Sequence, residues 1–129
     1  MTKRRQQVVV VAIIERGDYF LVSQRASGAF AGLWEFPGGK RNPSERDTDA
    51  LGRELREELG VRVEIGEKIH VAEAGPLELR FFRCGWLPGQ RPRALASAQF
   101  RWVPRSDLSS YRFLPADDEL VRGLATGDI

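Results

Sequence analysis

Seven consecutive apolar residues near the N-terminus constrain the fold more than any other feature of this sequence. The run covers residues 8–14 and contains four valines, one alanine and two isoleucines. β-Branched side chains favour an extended backbone, and an unbroken apolar run is typical of a strand that is buried on both faces. We therefore expect a sheet in which this strand has core on both sides.

The same run raises the alternative of an export signal, because the basic residues 3–5 precede it. The run lies at the lower length limit for such a signal, is followed directly by Glu15 and Arg16, and has no small-residue cleavage site after it. It is also far too short to span a bilayer. We therefore expect no membrane association and a cytoplasmic protein.

The composition indicates a compact soluble protein without covalent cross-links. The chain has 129 residues, with 20 Lys and Arg against 18 Asp and Glu, and 42% of its residues are apolar. The one cysteine, Cys84, cannot form an internal disulfide, and a thiolate zinc site would need several cysteines, so a reducing compartment is expected. We expect a single domain over residues 1–129, present as a monomer or homodimer.

Alternation and β-branched residues predict the rest of the sheet. A Gly-Asp turn joins residues 8–14 to a hairpin partner, and the Gly-rich loop that follows contains one short extended piece at 33–36. The other strands are predicted at 19–24, 61–65, 77–86 and 100–103.

Two segments have helical spacing. The first begins at Asp47 or Thr48 and ends at Leu59, before Gly60 as its stop signal. The second begins with Asp117 as its N-cap and ends near Gly123 or Gly127.

Three glutamates share one face of the first predicted helix. Glu54, Glu57 and Glu58 stand at positions i, i+3 and i+4, so their carboxylates fall within one turn. Repulsion costs about 0.2–0.5 kcal/mol per pair in a solvated helix. An ordinary charged surface helix is one interpretation. The other is a Mg²⁺ site, because this cation prefers hard oxygen ligands and accepts further ligands from substrate phosphates.

The spacing upstream of the helix favours the metal site. The segment resembles the Nudix box, and all nine of the constrained positions over 23 residues are filled. On this pattern the chain is identified as a member of the Nudix hydrolase superfamily. The nine positions are Gly39, Glu45, Arg53, Glu54, Leu55, Glu57, Glu58, Gly60 and Val61.

The resemblance extends to the MutT-type branch. Residues 33–40 (LWEFPGGK), preceded by Gln-Arg-Ala, and residues 100–103 and 114–117 look like that branch. The resemblance implies an α+β fold, with an α/β/α sandwich around a mixed sheet. It also implies Mg²⁺-dependent hydrolysis, with Mn²⁺ as a possible substitute, of a nucleoside triphosphate such as 8-oxo-dGTP to the monophosphate and pyrophosphate. Such an enzyme would sanitise the nucleotide pool.

The resemblance also implies catalytic roles. Glu54 would be the base or the ligand nearest the attacking water, Glu57 and Glu58 would bind metal, and the carbonyl of Gly39 would be a further ligand. The candidate catalytic residues are Glu54, Arg53 and Glu57. Bound cations suit the reaction because the charge of a polyphosphate repels an incoming hydroxide.

Three residues of the motif are expected to act structurally. Glu45, with Arg53, would hold the loop and the helix in register. Gly38, beside Gly39, would let the backbone approach the metal, since a Cβ would hinder it. Gly60 would end the helix.

Substrate binding is expected from four residues, each with a structural alternative. Arg25 could face the nucleotide or solvent, Phe36 could line the base pocket or belong to the core, and Lys40 could contact phosphate or stay solvated. Asp117 could read the base or cap the last helix.

Asp117 is also a departure from the branch. The best-known 8-oxo-dGTP enzymes have an asparagine there, which both donates and accepts, whereas an ionised aspartate only accepts. An exocyclic amine would suit that carboxylate, so CTP or 5-methyl-dCTP is the alternative substrate.

A second departure lies six residues before Trp102, where MutT-type relatives commonly have a metal-binding glutamate. This chain has Ala96, and residues 79–106 contain six arginines and no acid. A second or third cation should then bind more weakly, or another group such as Glu45 must serve. The departure keeps open a non-catalytic nucleotide-binding or lesion-binding module. We do not expect nucleic-acid binding, because the aromatics among those arginines alternate as core residues do.

Overall fold

The structure, a computed structural model, describes residues 6–129 and consists of a mixed sheet flanked by helices. This arrangement confirms the predicted fold class. The strands are β1 (Gln7–Arg16), β2 (Tyr19–Gln24), β3 (Trp34–Glu35), β4 (Gly38–Lys40), β5 (Val63–Ala74), β6 (Leu77–Trp86) and β7 (Gln99–Pro104). The helices are α1 (Asp47–Leu59) and α2 (Asp118–Thr126), with short 3₁₀ turns at Arg105–Ser110 and Pro115–Asp117.

The strand order is β3-β2-β1-β6-β5, with β1 and β6 parallel and the other pairs antiparallel. β1 and β2 form a hairpin but stay paired only next to the turn, at Glu15 with Phe20 and Arg16 with Tyr19. β4 pairs with the other half of the same edge of β1, and β7 pairs with β2. The split between β1 and β2 is therefore where β4 enters the sheet.

β1 is buried on both faces, as the apolar run predicts. On one face Val11 and Ile13 pack in a cluster that includes α2 residues, and on the other Val10, Ala12 and Ile14 pack against α1. α1 contributes Ala50, Leu51, Leu55 and Leu59 to its cluster, so its opposite face is free to carry charge.

Three predictions about elements need correction. The strand predicted at 61–65 is β5, which covers Val63–Ala74. Its second half was not predicted because its charged and apolar residues do not alternate regularly, and register shifts next to Lys68 account for the broken pattern. Gly38–Lys40 was expected in a loop and is strand β4, because its pairing depends on β1, which lies distant in sequence. Asp117 occupies the N-cap position of α2, but its side chain makes no capping hydrogen bond.

The ends of the helices follow the predicted stop signals. Gly60 and Gly127 follow α1 and α2 with φ of 67° and 81°, the left-handed region that glycine tolerates. Within residues 6–129, no helix is long and apolar enough to cross a membrane. The basic residues 3–5 lie outside the described residues.

Candidate active site

Arg53 ties the first helix to the loop before it. Its Nε and Nη2 donate to the two carboxylate oxygens of Glu45 at 2.8 Å each, and Nη2 also donates to the Lys40 carbonyl at 3.1 Å. The bonds from Arg53, together with one from the Asn42 N–H, lower the pKa of Glu45 to about 2. Arg53 and Glu45 therefore join α1, the loop and the end of β4.

Glu54 lies directly against the backbone of β4. A Cβ built on Gly39 would overlap the Glu54 carboxyl group, so only glycine lets the strand and the carboxylate approach this closely. Arg53 Nη1 donates to Glu54 Oε1 at 2.9 Å. The Gly39 backbone and the Glu54 carboxyl group, each predicted to bind metal, therefore lie in contact.

Glu58 contacts the two strands β2 and β4. Its carboxylate accepts hydrogen bonds from the Gly38 N–H at 3.3 Å and from the Ser23 hydroxyl at 3.4 Å. Burial, followed by the negative charge of Glu35, raises the pKa of Glu58 to about 7. A cation would relieve this cost, because it would favour the ionised carboxylate.

Glu57 differs from its neighbours because its side chain is 61% exposed. It lies within 3.3–3.4 Å of Arg53 Nη1. In the part of the chain that the structure describes, no three His, Cys, Asp or Glu side chains stand close enough together to hold a metal ion as they are placed. Glu54, Glu57 and Glu58 therefore share one side of α1 without converging on one point.

A cavity of about 440 Å³ opens beside β4 on the sheet face opposite α1. Phe36 forms part of its wall and stacks on Phe113 with ring centroids 5.2 Å apart, so it belongs both to the core and to the cavity. The exposed Lys40 lies at the end where Gly39 meets Glu54. Other apolar residues of the wall are Val9, Val11, Leu77, Leu79 and Leu114.

Asp117 lies on the wall of this cavity and is 2% exposed. No side-chain hydrogen bond to its carboxyl group occurs within residues 6–129. Burial, and to a lesser degree the charges of Glu35 and Asp118, raise its pKa to about 8. A buried polar group without a partner is costly, so this carboxyl is suited to bind a polar ligand in the cavity.

A second, smaller cavity of about 210 Å³ adjoins the first. Arg25 and Glu35 line both cavities and form an ion pair of 3.0 Å. Glu58 and Ala96 lie on the wall of the smaller cavity. The position that lacks the expected glutamate is thus next to one of the predicted metal ligands.

Comparison with known proteins decides the family. A model of the NUDIX domain matches residues 9–123. The chain belongs to the Nudix family. A Mycobacterium tuberculosis protein named "Putative 8-oxo-dGTP diphosphatase 2" is 38% identical over 125 residues, which are 92% of this chain and 88% of that protein. The CTP pyrophosphohydrolase of Escherichia coli is 55% identical over 62 residues, 47% of this chain and 46% of that protein.

Solved structures agree with the family. A MutT structure from work on the Aliivibrio salmonicida and Vibrio cholerae proteins has a TM-score of 0.83 at 28% identity, over 95% of this chain and 98% of that one. The E. coli ORF135 protein has a TM-score of 0.76 at 35% identity, over 95% and 90%. This Nudix chain is therefore a MutT-type hydrolase that acts on acid anhydrides.

The residues of this Nudix domain fit a divalent metal. The donor set consists of hard oxygens, from carboxylates on α1 and from the backbone of β4, and such donors suit Mg²⁺ and Mn²⁺. Gly39 provides the close backbone approach, and the half-buried Glu58 has a raised pKa that a cation would lower. Glu54, Glu57, Glu58 and the Gly39 carbonyl are the groups that could hold the metal.

Two residues of the Nudix site were missed by the sequence analysis. Glu35 lines both cavities, and Ser23, 1% exposed, donates its hydroxyl to Glu58. A signal existed for each. Ser23 is a polar residue within the apolar strand β2, and Glu35 is an acid between the buried aromatics Trp34 and Phe36.

Proposed function

We propose that this Nudix domain hydrolyses a nucleoside triphosphate to the monophosphate and pyrophosphate, using Mg²⁺ or Mn²⁺, and that an oxidised guanine nucleotide such as 8-oxo-dGTP is its substrate. One observation carries the proposal. Gly39, whose backbone touches the Glu54 carboxyl group, also lines a largely apolar cavity on whose wall the buried Asp117 lies. Acidic metal ligands at one end and a base-sized apolar cavity with a polar group suit a nucleoside polyphosphate.

In this mechanism the triphosphate lies along β4 and the base enters the cavity. Bound metal would neutralise phosphate charge and lower the pKa of the attacking water. Glu54, next to the Gly39 backbone, accepts the proton from that water or holds it in position. The water oxygen bonds to one of the two phosphorus atoms that the α–β bridging oxygen joins, the bond from that phosphorus to the bridging oxygen breaks, and the nucleoside monophosphate and pyrophosphate leave. Arg53 does not need to contact substrate, because its bonds to Glu45 and Lys40 hold the helix and β4 at fixed separation.

The remaining residues of the site fall into those that would face the phosphates and those that would face the base. Lys40 and Arg25 supply positive charge for the phosphates, and Phe36 supplies an apolar wall for the base. Asp117 supplies the polar contact. With a pKa of about 8, its carboxyl is mostly protonated at neutral pH, and a protonated carboxyl both donates and accepts. It can therefore replace the asparagine amide of the better-known 8-oxo-dGTP enzymes.

Cytidine nucleotides are the second candidate, on a different protonation state of the same residue. Once ionised, Asp117 only accepts, and it then matches the exocyclic amine of CTP or 5-methyl-dCTP. The match to the E. coli CTP pyrophosphohydrolase supports this candidate.

We also propose that the protein is one cytoplasmic domain, a monomer or homodimer, that keeps modified nucleotides out of the pool used for DNA synthesis.

A pyrophosphate-release assay tests the proposal. The panel contains 8-oxo-dGTP, dGTP, CTP and 5-methyl-dCTP, each with Mg²⁺ or Mn²⁺, and Glu54→Gln is the inactive control. We expect 8-oxo-dGTP to be preferred at pH 7 and Glu54→Gln to lose at least 100-fold in turnover. Full activity in Glu54→Gln would refute the catalytic assignment. Nucleotide binding without pyrophosphate release would support the binding-module alternative. An Asp117→Asn variant with unchanged base preference would refute base reading by Asp117.

A further inference from the structure

Ala96, the position at which the resemblance to MutT-type proteins implies a glutamate, lies on the wall of the smaller cavity. The loop between β6 and β7 runs along the end of α1, where the Leu95 N–H donates to the Glu58 carbonyl at 3.1 Å and the Arg93 N–H to the Leu59 carbonyl at 2.9 Å. These bonds place position 96 beside Glu58, on the wall of the same cavity. A glutamate at that position would reach the cavity, but the chain has Ala96.

Another carboxylate faces the cavity from the opposite side. Glu35 lies on β3 and is paired in register with Ser23, whose hydroxyl contacts Glu58. Its side chain is 22% exposed and lines the cavity together with Glu58. After burial, the charge of Glu35 is the largest cause of the raised pKa of Glu58, so the two carboxylates lie within electrostatic reach of each other.

The other acids near the site are committed elsewhere. Both oxygens of Glu45 are bonded to Arg53, so Glu45 does not serve as the substitute that the sequence suggested. Asp117 lines the larger cavity and not the smaller one. Residues 79–106 contain no acid at all. Glu35 bonds Arg25 through Oε2 alone, at 3.0 Å, so unlike Glu45 it has a second carboxylate oxygen that can bind a cation beside Glu58.

We propose that Glu35 acts as a metal ligand together with Glu58, and that it takes the place of the loop glutamate that is absent at Ala96. The inference rests on the proposed function, since it assumes a metal-dependent site. The charges of the cavity agree with it. Its wall carries two carboxylates against one guanidinium, that of Arg25, whose side chain is 40% exposed. A cation bound between Glu35 and Glu58 would leave Arg25 available for a phosphate group.

The test measures Mn²⁺ binding directly, by electron paramagnetic resonance titration of free Mn²⁺ without nucleotide. Four proteins form a cycle: wild type, Glu35→Gln, Ala96→Glu and the double variant. We expect Glu35→Gln to weaken one class of Mn²⁺ sites by about tenfold or more. Ala96→Glu should restore most of that affinity in the Glu35→Gln background and should change the wild type less, because the cation there already has its carboxylate.

A matched control is Glu67→Gln, which neutralises an exposed glutamate of β5 that lines a different depression of the surface. It should bind Mn²⁺ as the wild type does. Mn²⁺ binding in Glu35→Gln equal to that of the wild type would overturn the inference. If Glu35→Gln does not fold, Ala96→Glu alone decides. A gain in Mn²⁺ affinity of about tenfold or more over the wild type would overturn the inference, because it would show that the wild-type site lacks a carboxylate. An affinity close to that of the wild type would support the inference.

The outcomes separate this inference from the proposed function. A wild-type protein that neither binds Mn²⁺ nor releases pyrophosphate would refute the proposed function. A wild type that releases pyrophosphate, with Glu35→Gln binding Mn²⁺ equally well, fails only the inference about Glu35.

Discussion

Replacing Asp117 by asparagine should remove a pH dependence of stability that this one buried carboxyl creates. Its pKa is about 8 in the folded protein, against 3.8 for an unperturbed aspartate. The folded state therefore holds a proton that the unfolded state has released between these two values. The stabilising effect of that proton is complete below pH 3.8 and is lost as the pH rises toward 8.

The size of the effect follows from the two pKa values. Each pH unit between them changes the free energy of unfolding by about 1.4 kcal/mol, and the interval of about 4 units gives a total of about 6 kcal/mol. Asparagine has nearly the same shape and does not titrate. The difference in stability between Asp117→Asn and wild type should therefore be small at pH 4 and should grow in favour of the variant up to pH 8.

The assay is urea denaturation of both proteins at pH 4, 5, 6, 7 and 8, followed by tryptophan fluorescence. Asp107→Asn is the matched control, because Asp107 is exposed and lies in the first turn of the short helix Arg105–Ser110. It should show no such trend. A difference between Asp117→Asn and wild type that stays constant from pH 4 to 8 would refute the burial argument, and with it the protonated Asp117 of the proposed mechanism.

The remaining predictions concern the glycines of β4, the Arg53–Glu45 ion pair and the cavity wall at Phe36. Gly39→Ala should stay folded by circular dichroism yet lose at least about 100-fold in kcat/KM, because its Cβ would displace the Glu54 side chain. Gly38→Ala should instead unfold, because its Cβ would meet backbone atoms of β1. Glu45→Gln should be less stable than wild type at pH 7, and the gap should close as the pH falls toward 2, where the wild-type carboxylate is protonated. Phe36→Ala should cost about 3–5 kcal/mol in urea denaturation and raise KM for the nucleotide; an unchanged KM would separate Phe36 from the base cavity.

Much of the fold could be predicted because its signals are local. The apolar run of β1 and the helical spacing of α1 each involve neighbouring residues, so periodicity alone places them. β4 and the second half of β5 could not be predicted in this way. β4 is three residues long and exists because β1 offers a free edge beside it, and β5 has register shifts that break its alternation.

The candidate site, too, could be predicted only where its features depend on spacing within one segment. The spacing of the box brings Glu54, Glu57 and Glu58 to one side of a helix, and the structure places Gly39 against Glu54. The sequence did not indicate that Glu57 would be exposed while Glu58 is half-buried. Nor did it connect Glu35 with either cavity, because Glu35 and Glu58 lie on different elements and meet only through the packing of α1 against the sheet.

The sequence by itself determined the family, the acidic side of α1 and the strand buried on both faces, since each depends on spacing within one segment. Only the tertiary structure decided what these parts do to one another. The raised pKa of Asp117, the place of Ala96 beside Glu58 and the cavity shared by Glu35 and Glu58 all arise from burial and from contacts between distant segments. Desolvation and electrostatic coupling depend on distance in space, and a sequence pattern records only distance along the chain.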